Sequence, residues 1–73
     1  MLHRTAEAMR DALLRGKAIS IHHKPDSDKG GTIYEGCAAD FKSLSLSDDV
    51  VTFEYLGVPH RFPIAEVASV GTL

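Results

Sequence analysis

Apolar and polar positions along this chain follow two periods, and the switch falls near Gly16. Before it, Leu2, Ala6, Met9 and Leu13 recur at intervals of four, three and four, which is one face of an α-helix. Thr5 offers an N-cap hydroxyl and Gly16 a C-terminal stop, so the spacing predicts a helix over 5–15. Glu7–Arg10 and Asp11–Arg15 stand at ion-pair spacing on the wet side, worth about 0.2–0.5 kcal/mol each. So short a helix is marginal alone and needs a surface to cover.

Beyond Gly16 the period drops to two. Residues 17–23 read as a strand, with Ile19 and Ile21 on one face and Ser20 and His22 on the other. Residues 24–31 are loop by their Pro, Asp, Ser and Gly content. A second strand is predicted over 32–41, bent at Gly36. Residues 42–49 read as a polar, serine-rich connection whose apolar members are Leu44 and Leu46. The clearest strand is 50–56, where Val51, Phe53 and Tyr55 alternate with Val50, Thr52 and Glu54. Gly57-Val58-Pro59 makes a turn. A fourth strand follows over 60–64, with Phe62 and Ile64 on one face and Pro63 on a sheet edge. Ala65-Glu66 is a corner, and 67–70 a short fifth strand.

One helix and five short strands predict a mainly β fold, a small barrel with an N-terminal helix. A flat five-stranded sheet would leave two edges and a bare face, and rolling it up buries that face. Composition narrows this to one domain: 73 residues, 44% hydrophobic and 25% charged. A chain this short buries only about 60% of the surface its unfolded form exposes, which leaves little room for a deep cleft. One cysteine, Cys37, excludes an internal disulfide. No apolar run approaches the ~18 residues of a membrane span, and Glu7, Arg10 and Asp11 interrupt any signal-peptide core. A cytoplasmic protein without membrane contact is expected.

The stretch Tyr34-Glu35-Gly36-Cys37-Ala38-Ala39-Asp40-Phe41-Lys42-Ser43-Leu44-Ser45-Leu46 resembles the first motif of the Sm-like family. Gly36, the aromatic Phe41 and the apolar Leu44 and Leu46 carry the likeness, which implies an Sm-like, SH3-like barrel. Lys42 stands where that family has Asp, Ser45 where it has Asn, and Arg61 is followed by Phe62 rather than Gly. The family's uridine pocket is therefore not implied. The closing run Arg61-Phe62-Pro63-Ile64-Ala65-Glu66-Val67-Ala68-Ser69-Val70 is similar to the last hairpin strand, corner and final strand of the Rof family. That resemblance, over roughly residues 16–70, implies a modulator of transcription termination with a Rho-like factor as its partner. The family's acidic N-terminal signature is replaced here by Arg4-Thr5-Ala6-Glu7. The closing run is also similar to the end of WYL domains, another SH3-like barrel.

Catalytic and metal chemistry find little footing. His22, His23, Cys37 and His60 match no compact zinc spacing, and adjacent strand residues face opposite ways. They read as strand-end surface histidines and a half-buried thiol. Cys37 beside alanines lacks the base and oxyanion groups of a nucleophile. Lys29-Gly30-Gly31-Thr32 has phosphate-loop residues in the wrong order. Adjacent Asp48 and Asp49 before a strand read as turn formers. No enzyme activity, cofactor or metal is expected.

Charge is uneven. Residues 1–30 hold six Lys/Arg and four Asp/Glu, whereas residues 31–73 hold two and six. Either the acidic part is an ordinary solvated surface, or it attracts a basic protein groove. On the second reading the chain is a regulatory or adaptor barrel that binds a protein partner through Asp48, Asp49, Glu54, Glu35 and Asp40. A second reading is an RNA binder using Arg10, Arg15, Lys17, Lys24 and Lys29, with Tyr34 or Phe41 stacking on bases. A third is an oligomeric subunit joined through strand edges. The helix adds a possible association face, since Met9, Leu13 and Leu14 exceed what a tiny barrel need cover.

Overall fold

The computed structural model describes residues 1–26 and 30–73. The period-3.6 stripe forms α1, Ala6–Leu14, with the Thr5 hydroxyl accepting the Ala8 N–H at 3.2 Å. Gly16 follows at φ 66°, a conformation that suits a residue without Cβ. Met9, Ala12 and Leu13 are buried, while Leu14 is exposed. Leu2 does not belong to that stripe. It lies in β1, Leu2–His3, and is half exposed.

Seven strands, two more than the periodicity predicts, form two antiparallel sheets among the described residues. The first has the order β1-β7-β2-β3, with β2 spanning Ala18–His23, β3 Ile33–Glu35 and β7 Val67–Thr72. The second has the order β4-β5-β6, with β4 spanning Phe41–Ser47, β5 Val50–Tyr55 and β6 Val58–Pro63. A 3-10 turn, Ala38–Asp40, leads into β4, and another, Ile64–Glu66, joins β6 to β7 at the expected corner.

The two corrections of strand pattern have one cause, the β-bulge. Residues 42–49 are not a connection, because most of them belong to β4. The register slips between Lys42 and Ser45, and Ser43 sits at φ 55°. One extra residue there puts Phe41, Leu44 and Leu46 against the core despite their three-then-two spacing. A second slip between Ala18 and Ser20 separates Ile19 from Ile21. Ile21 is fully buried and Ile19 only partly so, not the equal pair that strict alternation implies. The predicted strand over 32–41 is likewise broken after Glu35. Gly36 marks the break, because a Cβ there would collide with the Asp40 carboxylate.

The core is shared by the helix and both sheets: Met9 and Leu13 from α1, Ile21 and Val70 from the first sheet, Val51 and Phe53 from the second. Burying each such side chain contributes about 1.5–3 kcal/mol. No helix among the described residues is long and apolar enough to cross a membrane.

Candidate functional site

The five acidic candidates fall in four places. Asp48 and Asp49 form the two-residue loop between β4 and β5, at φ 53° and 58°, a type I′ turn. This turn is held from two sides. The Asp49 carboxylate meets the Arg10 guanidinium at 3.2 Å, and its carbonyl accepts the Ile64 N–H at 2.8 Å. Arg10 therefore reaches across to the turn instead of forming the helical pair expected with Glu7. Asp40 folds back to accept the Cys37 N–H at 3.0 Å. Glu35 ends β3; its carbonyl accepts the Tyr55 hydroxyl, and its carboxylate lies 4.0 Å from His22 Nε2. Glu54 is the next-to-last residue of β5, on the solvent face, opposite Lys42 on one side and Pro59 on the other. Asp40 and Asp48 cap opposite ends of β4, about 20 Å apart at the rise of an extended strand. Asp40, Glu35 and Glu54 therefore lie towards the Tyr55 end of the sheets, and Asp48 and Asp49 at the other end.

The basic candidates divide as well. Arg15 pairs with Asp11 at 3.2 Å. Arg15 and Lys17 border a hollow of about 250 Å³ together with His3. Arg10 and Lys24 border a separate groove. Lys29 lies outside the described residues. The rings assigned to base stacking are not on the surface: Tyr34 and Phe41 are 8% and 5% exposed. Tyr34 packs within 5.6 Å, centroid to centroid, of His23, Phe53, Tyr55 and His60. Burial raises its phenol pKa above the ordinary 10.0.

One groove collects candidates from both charge sets. It lies between α1, the Asp48–Asp49 turn and the Ile64–Glu66 corner, with a volume of about 450 Å³. Arg4, Arg10 and Lys24 line it together with Asp48 and Asp49, around a floor that includes Met9, Val50 and Ile64. Helix, hairpin and corner are fixed to one another here by the Arg10–Asp49 pair and the Ile64–Asp49 backbone bond.

A second feature has no counterpart in the periodicity. The β5–β6 loop is Leu56–Gly57, at φ 52° and 79°, also a type I′ turn. Leucine in this left-handed region costs about 1–2 kcal/mol. Leu56 is nonetheless 75% exposed, and Val58 beside it 53%. A Leu-Gly pair bracketed by alternating strands is the available signal, although Leu56 reads as the end of a strand and Gly57 as the start of a three-residue turn. Behind the tip the solvent face of the second sheet bears Lys42, Glu54, Thr52 and Arg61, with a hollow of about 460 Å³ over Glu54, Pro59 and Arg61.

The histidines and thiol are redistributed. Cys37 is exposed rather than half-buried, with its thiol 3.5 Å from the Asp40 carboxylate. His23 is not a surface residue: it is 3% exposed, edge-on to Phe62 at 4.1 Å. His22 faces Glu35 instead. Among the described residues no three His, Cys, Asp or Glu side chains converge as metal ligands would. The helix offers less apolar surface than expected, because only Leu14 of its three large residues is exposed. For assembly through strand edges, β6 is poorly suited. It has one partner strand and carries Pro59 and Pro63, which cannot donate to an incoming strand.

Compared with known proteins, the chain matches no protein-family model, no curated protein and no solved structure.

Proposed function

We propose that this chain is a small, non-catalytic, cytoplasmic adaptor that docks onto a larger protein through the groove between α1 and the Asp48–Asp49 turn. The groove itself carries this reading: an apolar floor flanked by three cationic and two anionic side chains. Polypeptide offers apolar groups and both signs of charge, so it complements such a lip. A phosphate backbone would meet two carboxylates at the same place. Supporting a half-open, SH3-like barrel are the corner between β6 and β7, the Tyr55–Glu35 bond between the sheets, and the shared core. The Sm-like and Rof resemblances then make a Rho-type termination factor the first partner to test.

Interferometry with the purified chain and a purified Rho-type factor tests the reading. Binding that weakens at least about tenfold in Asp48→Lys, with the fold intact by circular dichroism, is expected for a groove contact between charged groups. Undiminished binding by that variant removes the groove. No binding to the factor removes the termination role. A fluorescence titration with single-stranded RNA at about 50 mM salt separates the RNA reading, whose affinity must be visible there and fall steeply as salt rises.

A further inference from the structure

The groove between α1 and the Asp48–Asp49 turn is polarised from end to end. Its two walls meet at Asp49, one through the Arg10 guanidinium at 3.2 Å and the other through the Ile64 N–H at 2.8 Å. Asp49 and Arg10 thereby satisfy each other. Asp48 beside them keeps a carboxylate that no ion pair engages among the described residues. Along the helical wall the lining runs back to Arg4, which precedes α1 and is likewise in no ion pair among the described residues. Arg10 is the fifth residue of α1, so Arg4 stands roughly 10 Å from the closed end. Lys24 flanks the other wall, but its N–H is bonded to the Glu66 carbonyl at 2.8 Å and Asp26 follows it closely. These two carboxylates offset Lys24 and leave Arg4 as the principal cation of the open end. Glu7 and Asp11 line a separate hollow and do not enter the groove. Between the two ends the floor holds Met9 and Ile64, each 5% exposed.

We propose that this groove takes an extended segment of a partner protein, with a basic residue facing Asp48, an apolar residue on Met9 and Ile64, and an acidic residue facing Arg4. The proposal rests on the reading of the groove as a docking surface and adds the chemistry and direction of what docks there. Shape selects an extended chain. A volume of about 450 Å³ spread over roughly 10 Å leaves a cross-section well short of the ~10–12 Å diameter of a helix. The same length spans about three residues of extended chain, which sets the spacing between the basic and the acidic residue. Exposed ion pairs contribute little affinity, so the apolar residue supplies most of the binding and the two charges fix its direction. A segment with the charges exchanged would place a carboxylate against Asp48 and a cation against Arg4, and both contacts are repulsive.

The test selects phage-displayed random peptides of about twelve residues on the immobilised full chain, long enough to span the groove with flanks. Recovered peptides are expected to carry Lys or Arg about three positions from Asp or Glu, with an apolar residue between them. The most frequent peptide, synthesised with a fluorescein label, is titrated by anisotropy against variants whose fold circular dichroism confirms. Asp48→Lys and Arg4→Glu should each weaken binding about fivefold or more at low salt, and Ala65→Trp, which fills the groove, about tenfold or more. Lys42→Glu, on the solvent face of the second sheet, should bind as wild type does. The same peptide with its basic residue replaced by Glu should prefer Asp48→Lys to wild type, a reversal that direct contact gives and a structural effect does not. Recovery of no peptide overturns the proposal. Peptides blocked by Ala65→Trp but indifferent to Asp48→Lys and Arg4→Glu overturn it too, while leaving the groove as a docking surface. Peptides that bind Ala65→Trp as tightly as wild type overturn both. A wild-type dimer in light scattering that Ala65→Trp converts to monomer assigns the groove to a second copy and overturns the peptide.

Discussion

Asp48–Asp49 and Leu56–Gly57 close the two hairpins of one sheet with the same backbone, both residues of each at positive φ. Their surroundings differ sharply. The first turn is acidic, and Asp49 is tied to α1 by Arg10 and to the corner by a backbone bond. The second pairs an ill-suited leucine with glycine and leaves that leucine in solvent. The contrast separates a turn built into the fold from one whose side chain the fold does not need. Identical backbone geometry thus carries no information about role; the residue chosen for it does.

The strand that joins the turns sets the largest expected effect. Phe53→Ala removes a buried ring of β5 and should cost about 3–5 kcal/mol. A domain of this size has only about 0.05–0.15 kcal/mol per residue in total, so thermal melts should show a largely unfolded chain. A folded variant would mean that the two hairpins do not depend on a common core.

Asp49→Ala comes next. It places alanine in a left-handed conformation and deletes an exposed ion pair, and should cost about 1–2 kcal/mol in urea unfolding. Arg10→Ala removes the pair alone, at about 0.2–1 kcal/mol, because both side chains are substantially exposed. A double-mutant cycle gives their coupling, which should shrink as salt is raised. No coupling at low salt would leave the Ile64–Asp49 backbone bond as the tie between turn and corner.

A smaller effect concerns Tyr34, the ring that receives Tyr55 and His60 from β5 and β6. Its pKa is raised by desolvation, so the folded state holds the phenol proton more tightly than the unfolded state does. Stability from this group is complete below about pH 10 and falls as pH rises above it. Spectrophotometric titration should show the Tyr34 phenol ionising above its ordinary range, as the component that Tyr34→Phe removes from the curve. A Tyr34 phenol that ionises at its ordinary value would contradict this.

How much of this was legible in the sequence follows from where the local rules broke. The helix cap at Thr5, the β5 alternation and Pro63 on an edge strand match the structure, and the Ala65-Glu66 corner falls within the 3-10 turn Ile64–Glu66, which takes Ile64 from the predicted strand. In β4 the bulge at Ser43 shifted Phe41 out of phase with Leu44 and Leu46, so a core strand resembled a linker. In β1, two residues are too few to show any period, and Leu2 fitted the helical stripe by chance spacing. The site was less legible. Acidic residues counted as one half of the chain are dispersed by strands that run in opposite directions. Arg10 finds its partner 39 positions away at Asp49, where no local pattern could place it. Leu56 reads as the last residue of a strand, because its exposure depends on where the hairpin ends.

Urea unfolding of Leu56→Asn beside the wild type tests the division between the two turns most directly. Asparagine tolerates the left-handed backbone, so the variant should be more stable by about 0.5–1 kcal/mol, with a higher midpoint and an unchanged m-value. A lower midpoint would contradict the division, because Leu56 would then be serving the fold.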